Sequence, residues 1–424
     1  MYSKAGRGEV IKPEVLVIGI EVAKRCHVAT IRLPDGTKKK AFSFSNDRSG
    51  FDKLLARAES VRASWGLRAM LFAIESSGHY GHALKHFLTW GGYSVVGINP
   101  AHTKRVKEIE DNSPEKNDSK DSRIISDLAA QGRGREVMIP RGVYADLRRL
   151  GKFRERLSVE RTRIMNRYKG LVDLVFPELN SIVRDVASSS IRRLMREYPS
   201  ALDVARLELH RLYRQLWRWS MGHLSHEQCR RLHTAAKESV GIKEGLDAAR
   251  LEMKQILEAL KIIEGRIGEV EAAQEQALPR IPYTEHLLSI PQVGSVTVAT
   301  ILGETGDLRQ YRNAEAVIKL AGLNLYTISS GTLKGKTRIT KRGRPLLRRY
   351  LYLAALRLSK RGQPLTDFHD RLLPTKAKPQ IAVAVCRKFV RLMVAVVRDG
   401  INYEVGRLAV EPCLRKTVSA GGRT

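Results

Sequence analysis

The chain has 424 residues, enough for about two or three domains that each bury their own core. Apolar residues make up 43% of it, which excludes a largely disordered protein. The chain has 75 lysine and arginine residues against 44 acidic residues, which gives a net charge of +31. This charge favours a polyanionic partner, and nucleic acid is favoured over the alternative of an anionic membrane surface.

Membrane and secretion signals are missing from the sequence. No apolar run approaches the roughly 20 residues of a spanning helix, and the first residues contain no apolar signal segment. The cysteines Cys26, Cys229, Cys386 and Cys413 lie far apart, without a CxxC pair. We therefore expect a cytoplasmic protein with reduced thiols and no zinc site.

The first third of the chain has the pattern of an α/β domain. Apolar runs, a Pro-Asp-Gly turn and helical periodicity predict, in order, strands 15–22, 27–33 and 40–46, helix 51–59, strand 69–75, helix 79–90 and strand 93–99, the last closed by Pro100. A three-stranded meander followed by alternating helices and strands is the element order of a ribonuclease H-like fold. Pattern alone does not separate that fold from other α/β layouts.

The middle of the chain is predicted to be helical. Apolar residues recur every seven positions in three series: Leu150, Leu157, Ile164 and Leu171; Leu246, Met253, Leu260 and Ile267; and Ala249, Ile256, Ile263 and Val270. Such heptads favour a coiled coil or a long helical hairpin, with a helix packed inside its own domain as the alternative. A coiled coil would serve as a dimerisation element or an interdomain arm.

The last third is predicted to be a basic α-helical domain. No acidic residue occurs between Glu315 and Asp367, whereas lysines and arginines are frequent there. A block of one charge sign that also contains helix-forming apolar residues indicates a folded phosphate-binding face.

Acidic residues stand at positions where α/β folds place functional groups. Glu21 ends the first predicted strand, Glu75 ends the strand 69–75, and Asp118 and Asp121 lie three apart where a helix is expected to begin. Carboxylates gathered in this way could hold two Mg²⁺ ions for phosphoryl transfer. Taken singly, each acid is more ordinary as a surface or capping residue.

Four N-terminal segments resemble the RuvC-like catalytic domain of the Piv/MooV-type DEDD transposases, the insertion-sequence-110 family. They are VIGIEVAKRCHVA, AIESSGHYGHALKHFL, INPAHTKRVKE and DNSPEKNDSKDSRIISDLA. The stretch 290–355, which contains GLNLYTISSGTLKGK, resembles that family's second conserved domain. The resemblance implies a DNA transposase or recombinase of an insertion sequence that uses Mg²⁺ or Mn²⁺.

The resemblance also assigns catalytic residues. The family's four metal-binding acids correspond to Glu21, Glu75, Asp118 and Asp121, although the family usually has Asp at the first of these positions. Its nucleophilic serine corresponds to Ser330, with Ser329 as an open alternative, and implies a covalent serine–DNA intermediate. Without the resemblance both serines would be plain loop residues.

The partners implied by the resemblance are donor and target DNA, a structured guide RNA (a bridge RNA) and further copies of the chain, as a dimer or tetramer. Such a protein would be bacterial and associated with the nucleoid. The residues expected to bind nucleic acid are Lys116, Lys120, Arg123, Lys334, Lys336, Arg338, Lys341, Arg342, Arg344, Arg348 and Arg349. A site-specific invertase of the same family and a non-catalytic nucleic-acid binder remain the alternatives.

The expected organisation is a RuvC-like domain at 1–145, a helical coiled-coil region at 146–280, a C-terminal transposase domain at 281–400 and a tail at 401–424. Within the third of these, IPQVG (290–294) resembles a helix-hairpin-helix turn that binds phosphate through backbone N–H groups. Gln292 stands where that motif usually has its first glycine, and a plain turn between helices is the alternative.

Overall fold

The chain folds into two compact units, Met1–Ile139 and Pro140–Thr424. The computed structural model describes residues 14–75, 78–111, 118–137, 139–327, 335 and 337–404. Within these ranges, no helix has the length and apolar character needed to cross a bilayer.

The first unit is built on a six-stranded mixed sheet in the order β3-β2-β1-β4-β5-β6. Its strands are β1 Val15–Glu21, β2 Cys26–Arg32, β3 Phe42–Ser45, β4 Ala69–Glu75, β5 Ser94–Ile98 and β6 Arg135–Glu136. Strand β2 runs antiparallel to both of its neighbours, β1 and β3. The strands β1, β4 and β5 run parallel to one another, and β6 runs antiparallel to β5. This mixed α/β sheet fits the predicted ribonuclease H-like fold, and the short β6 extends it by a strand that the sequence did not predict.

Among the described residues of the first unit, four helices accompany this sheet: α1 Arg48–Ser64, α2 His82–Trp90, α3 Pro100–Asp111 and α4 Asp118–Ala130. The sequence patterns predicted α1, α2 and the start of α4. They did not predict α3, because a proline directly after an apolar run is typical of the end of a strand. Proline is also a favoured first residue of a helix, where its missing N–H would have no partner in any case.

The two faces of the sheet have separate apolar cores. One face packs the alternate β1 residues Leu16, Ile18 and Ile20 in the same core as Phe51 of α1 and Leu84 of α2. The other face packs Val17, Ala73 and Ile98 in one core with Ile124 and Ile125 of α4. The period-two alternation along β1 therefore places α4 on one defined side of the sheet.

Helix α4 lies directly against the backbone of β1 at Gly19. A Cβ atom added there would overlap the carbonyl oxygen of Ser122 and lie 2.5 Å from the backbone nitrogen of Ser126. A buried hydrogen bond of 2.7 Å between the Thr30 and Ser122 hydroxyls fixes the same contact. Arg32 adds an ion pair of 3.0 Å to Asp127. The absence of a side chain at residue 19 thus sets the distance between strand and helix.

The second unit is mainly helical. Its α-helices are α5 Val143–Val175, α6 Leu179–Ile182, α7 Ser189–Glu197, α8 Ala201–Ala205, α9 Leu209–Trp219, α10 His226–Lys237, α11 Leu246–Ala277, α12 Thr284–Leu288, α13 Ser295–Thr305, α14 Ala314–Leu320, α15 Pro345–Leu358, α16 Thr366–Leu372 and α17 Lys378–Asp399. Short 3-10 helices lie at Leu278–Arg280 and Leu308–Gln310. The strands β7 Leu325–Tyr326 and β8 Arg338–Ile339 form an antiparallel ribbon that the sequence did not predict, because two-residue strands have no detectable periodicity.

The long helices α5 and α11 pack side by side and antiparallel. Arg154 of α5 pairs with Glu271 of α11, and Arg161 of α5 pairs with Glu264 of α11. A later residue of α5 thus meets an earlier residue of α11, as in an antiparallel pair. The predicted heptad residues Leu157, Ile263 and Val270 form a buried cluster, joined by the partly buried Leu150, Ile164 and Ile267. The structure shows a helix pair within one chain, and the coiled coil with its dimerising role stays a prediction.

Two larger cores occupy the rest of this unit. One gathers residues between Met165 and Leu260, and the other gathers Leu147 with residues from Ala277 to Val397. The domain limits predicted within this unit stay a prediction. In the turn between α12 and α13, Gln292 has φ 64°, in the left-handed region that favours glycine. That is the position where the resembled helix-hairpin-helix motif has glycine, and assignment of the motif likewise stays a prediction.

Replacing Gly19 by alanine is expected to destabilise the first unit by about 3 kcal/mol, because the new methyl group has no room against the α4 backbone. Amide hydrogen exchange of β1 and α4 measures this loss. The control is Gly170→Ala at an exposed position of α5 with no atom within 4 Å of the added Cβ, which should be neutral or stabilising by about 0.5–1 kcal/mol. Equal protection of β1 and α4 in the Gly19→Ala and wild-type proteins would contradict this packing.

Candidate active site

The predicted acidic residues meet at one edge of the sheet of the first unit. Glu21 and Glu75 are the last residues of the neighbouring parallel strands β1 and β4, directly after the paired residues Ile20 and Ile74. Asp118 begins α4, and Asp121 lies in its first turn. Since α4 rests on β1 at Gly19, the start of α4 is carried to the end of β1.

Glu21 is the acid most affected by its surroundings. Burial raises the pKa of Glu21 well above its ordinary value, and the charges of Glu75, Asp121 and Asp118 raise it further, in that order. Lys107 acts in the opposite direction. The Oε2 atom of Glu21 is buried and has no hydrogen-bond partner among the residues that the structure describes. An uncompensated buried oxygen of this kind favours either a proton or a cation.

Glu75 responds to the same neighbours. Burial raises the pKa of Glu75, and the charge of Asp121 raises it further, whereas a hydrogen bond shared with the Glu21 side chain and the positive charge of Lys107 lower it. The mutual influence of these carboxyl groups shows that they share one electrostatic environment. Their like charges repel each other unless protons or cations neutralise them.

Lys107 is a residue of this cluster that the sequence analysis missed. Its ammonium group on α3 forms an ion pair with Asp121, whose side chain is 5% exposed against 21% for Lys107. Thr103, one turn earlier on α3, is also buried, so the spacing of four residues marks the inner face of this helix. The signal was present in INPAHTKRVKE, but it depends on the unpredicted helix α3.

The donor set suits a hard divalent cation. Four carboxyl groups offer only oxygen ligands, as Mg²⁺ and Mn²⁺ prefer, and Glu21 supplies a buried oxygen without a partner. In the described ranges, however, no three acidic, His or Cys side chains are already arranged as a complete metal site. The metal-binding role of the four acids therefore stays a prediction.

Other predicted site residues have varied positions. Arg123 is exposed on α4, and Lys120 is half-buried in its first turn. Five further predicted residues lie outside the described residues: Lys116, Ser329, Ser330, Lys334 and Lys336.

The basic residues predicted in the second unit fall into two groups. Arg338, Lys341 and Arg342 are exposed, as a phosphate-binding role requires. The other three make contacts within the unit: Arg344 donates to the carbonyl of Glu304, Arg348 donates to the carbonyl of Ala321 at 2.9 Å, and Arg349 pairs with Glu155. Burial lowers the pKa of Arg344, whose side chain is 19% exposed.

Two transposase family models match separate parts of the chain. The first, a DEDD transposase model of the IS110 group, matches residues 18–177, a span that contains Glu21, Glu75, Asp118 and Asp121. The second, described as the transposase IS116/IS110/IS902 family, matches residues 284–370, a span that contains Ser329 and Ser330. Both matches agree with the resemblance found in the sequence.

Three similar proteins of insertion elements align with this chain along most of their length. An insertion element IS110 protein of Streptomyces coelicolor is 23% identical over 91% of this chain and 95% of its own. An IS116 protein of Streptomyces clavuligerus is 24% identical over 90% and 94%, and the transposase for IS1111A of Coxiella burnetii is 24% identical over 84% and 85%. With both family models matched and the IS110 protein aligned along most of its length, the chain belongs to the IS110 family of DEDD insertion-sequence transposases.

Proposed function

We propose that this transposase cuts and rejoins DNA by transesterification, with divalent metal held by Glu21, Glu75, Asp118 and Asp121 and with Ser330 as nucleophile. The observation that carries the proposal is the convergence of the acids at the ends of β1 and β4 and the start of α4. Mg²⁺ or Mn²⁺ bound there would offset negative charge at the scissile phosphate and at the leaving oxygen.

In the proposed reaction, the Oγ atom of Ser330 forms a bond to phosphorus, and the bond from phosphorus to the 3′ or 5′ oxygen of the strand breaks. The released DNA hydroxyl gains one proton, which balances the proton lost by the serine. A hydroxyl of the second DNA then attacks the phosphoserine ester, which restores the serine and joins the strands. The covalent intermediate conserves the energy of the phosphodiester bond through both steps.

Glu21 is longer by one methylene than the aspartate usual in the family. Its buried and unpaired Oε2 atom supports a ligand role, because the oxygen has no hydrogen-bond partner among the described residues. We propose that Glu21 binds metal and that the site accommodates the extra methylene by a change of side-chain rotamer.

The proposed specificity comes from a structured RNA that pairs with donor and target DNA. The net charge of +31 supports this, since a protein that holds RNA and DNA together must neutralise many phosphates. We also propose a dimer or tetramer as the active assembly. A site-specific invertase would use the same chemistry on another arrangement of DNA, whereas a catalytically impaired relative would bind nucleic acid and never recombine it.

Ser330→Ala is expected to lower the yield of recombinant junctions at least about a thousandfold, because no other group would form the covalent bond to DNA. The assay combines the protein, the RNA encoded beside its gene, Mg²⁺, and donor and target DNA. Nucleic-acid binding should be unchanged, and Ser329→Ala serves as the matched control that should keep activity. Full activity of Ser330→Ala together with loss in Ser329→Ala would move the nucleophile by one residue, and full activity of both would refute the serine mechanism.

Glu21→Gln should stabilise the metal-free protein at pH 8 by about 1 kcal/mol, after discounting for solvent screening, and should weaken Mn²⁺ binding. The unfolded pKa of Glu is about 4.3 and the folded pKa is raised, so wild-type stability falls as pH rises above the unfolded value. The difference in melting temperature between variant and wild type should therefore be small at pH 5 and larger at pH 8. Glu136→Gln, at an exposed position of β6, should show no such trend, and a pH-independent difference for Glu21→Gln would contradict the buried carboxyl cluster.

Lys107→Met should bind Mn²⁺ about tenfold more tightly than wild type, because the ammonium group no longer competes for Asp121. Without metal, the same variant should lose about 2 kcal/mol of stability, since a buried carboxylate is left without its cation. Calorimetric titration and thermal unfolding measure the two effects. Lys104→Met, on the same helix and 79% exposed, is the control; an unchanged Mn²⁺ affinity in Lys107→Met would contradict competition at Asp121.

A further inference from the structure

The second unit has an open groove of about 1280 Å³ beside the β7–β8 ribbon. Residues of β7, β8, α15, α16 and α17 line it. Small-molecule pockets span about 300–1,000 Å³ and enclose their ligands, so an open groove above that range fits an extended ligand better. We call it the ribbon groove.

The ribbon groove has a positive wall. Arg338 and Lys341 contribute from the ribbon side, Arg348 from α15, and Arg387 and Arg391 from α17. In the described part of the chain, no acidic side chain is among its lining residues. Glu315 pairs with Arg387 and Arg391, at 3.3 Å and 2.6 Å, but these pairs are solvent-exposed and weak enough for a phosphate to compete with them.

Aromatic and aliphatic side chains give the same groove an apolar surface. Tyr326 is 40% exposed, Tyr352 is 41% exposed and Leu325 is 52% exposed. Exposed tyrosines beside arginines are the combination that binds unpaired nucleic-acid strands, in which bases stack on rings while phosphates meet cations. A duplex cannot use the rings in this way, because its base faces are already stacked on one another.

The position of the ribbon links the groove to the proposed chemistry. Tyr326 and Arg338 are paired across β7 and β8, and both line the groove. The proposed nucleophile Ser330 lies between these two residues in the sequence. A ligand bound beside the ends of this segment is therefore expected to be the strand that the serine attacks.

We propose that the ribbon groove binds a single, unpaired strand of DNA, with bases on Tyr326 and Tyr352 and phosphates on Arg338, Arg387 and Arg391. The inference rests on the proposed function, because DNA is the expected ligand only if Ser330 is the nucleophile that attacks DNA. It implies that the transposase separates a few base pairs next to the cleavage point and retains one of the two strands.

The test measures binding by the full chain carrying Ser330→Ala, without divalent metal, so that no cleavage occurs. Fluorescence anisotropy would compare a labelled 12-nucleotide DNA strand, its blunt duplex and the RNA strand of the same sequence. In the double variant Tyr326→Leu and Tyr352→Leu, the Kd for the DNA strand should rise at least tenfold, with little change for the duplex. Leucine retains the apolar bulk, and circular dichroism checks folding.

Two matched controls separate the groove from the rest of the basic surface. Trp217→Leu removes another aromatic residue, 53% exposed on α9, and should leave single-strand binding unchanged. Arg338→Gln, at one of the proposed phosphate contacts, should reduce the salt dependence of binding by about 0.7 in logarithmic slope, whereas Lys254→Gln, exposed on α11, should leave it unchanged.

Photocrosslinking locates the strand independently of affinity. A DNA strand containing 5-iododeoxyuridine should crosslink to Tyr326 or Tyr352, as identified by mass spectrometry. Crosslinks confined to Trp217 or to the first unit, unchanged strand affinity in the tyrosine variant, or a larger loss for RNA or for duplex would each overturn the inference. Because no step of this test uses metal or the serine, its failure is distinct from failure of the proposed chemistry, which only the recombination assay measures.

Discussion

The close contact between β1 and α4 at Gly19 is the constraint on which the candidate active site depends. With no side chain at this position, the backbone of α4 reaches the strand, and the buried Thr30–Ser122 hydrogen bond holds it there. Asp118 and Asp121 consequently lie beside Glu21 at the end of β1. One glycine in the middle of a strand therefore determines the position of two acids that are about a hundred residues away in sequence.

The same contact concentrates negative charge in a poorly solvated place, which is unfavourable without compensation. Burial and mutual repulsion raise the pKa of both Glu21 and Glu75, and Lys107 supplies a cation at Asp121. A site of this kind is less stable than its neutral equivalents, as is common where a protein arranges groups for catalysis. A divalent cation bound among the carboxylates would stabilise the site, so metal binding and the order of this edge of the sheet are expected to be coupled.

Much of the first unit could be predicted from sequence because its strands are strongly patterned. Continuous or alternating apolar runs defined β1, β2, β4 and β5, and the ends of β1 and β4 identified Glu21 and Glu75. Helix α3 could not be predicted because a proline can either end a strand or begin a helix, and Pro100 begins a helix. Lys107 could not be predicted as a site residue without that helix. In the second unit, charge counting could not distinguish exposed Arg338 from enclosed Arg344, because the contact to Glu304 joins residues 40 positions apart. The ribbon groove could not be predicted either, because the elements that line it are separated in the sequence and meet only through tertiary contacts.

Glu21, Glu75, Asp118 and Asp121 are proposed to bind divalent metal together. Anomalous scattering from crystals of the full chain soaked in Mn²⁺ would locate the metal. One or two anomalous peaks are expected within about 2.5 Å of carboxylate oxygens of these four residues, with the Lys107 ammonium group displaced from Asp121. Crystals that show Mn²⁺ bound elsewhere, with none at these carboxylates and Lys107 still paired with Asp121, would contradict the proposal.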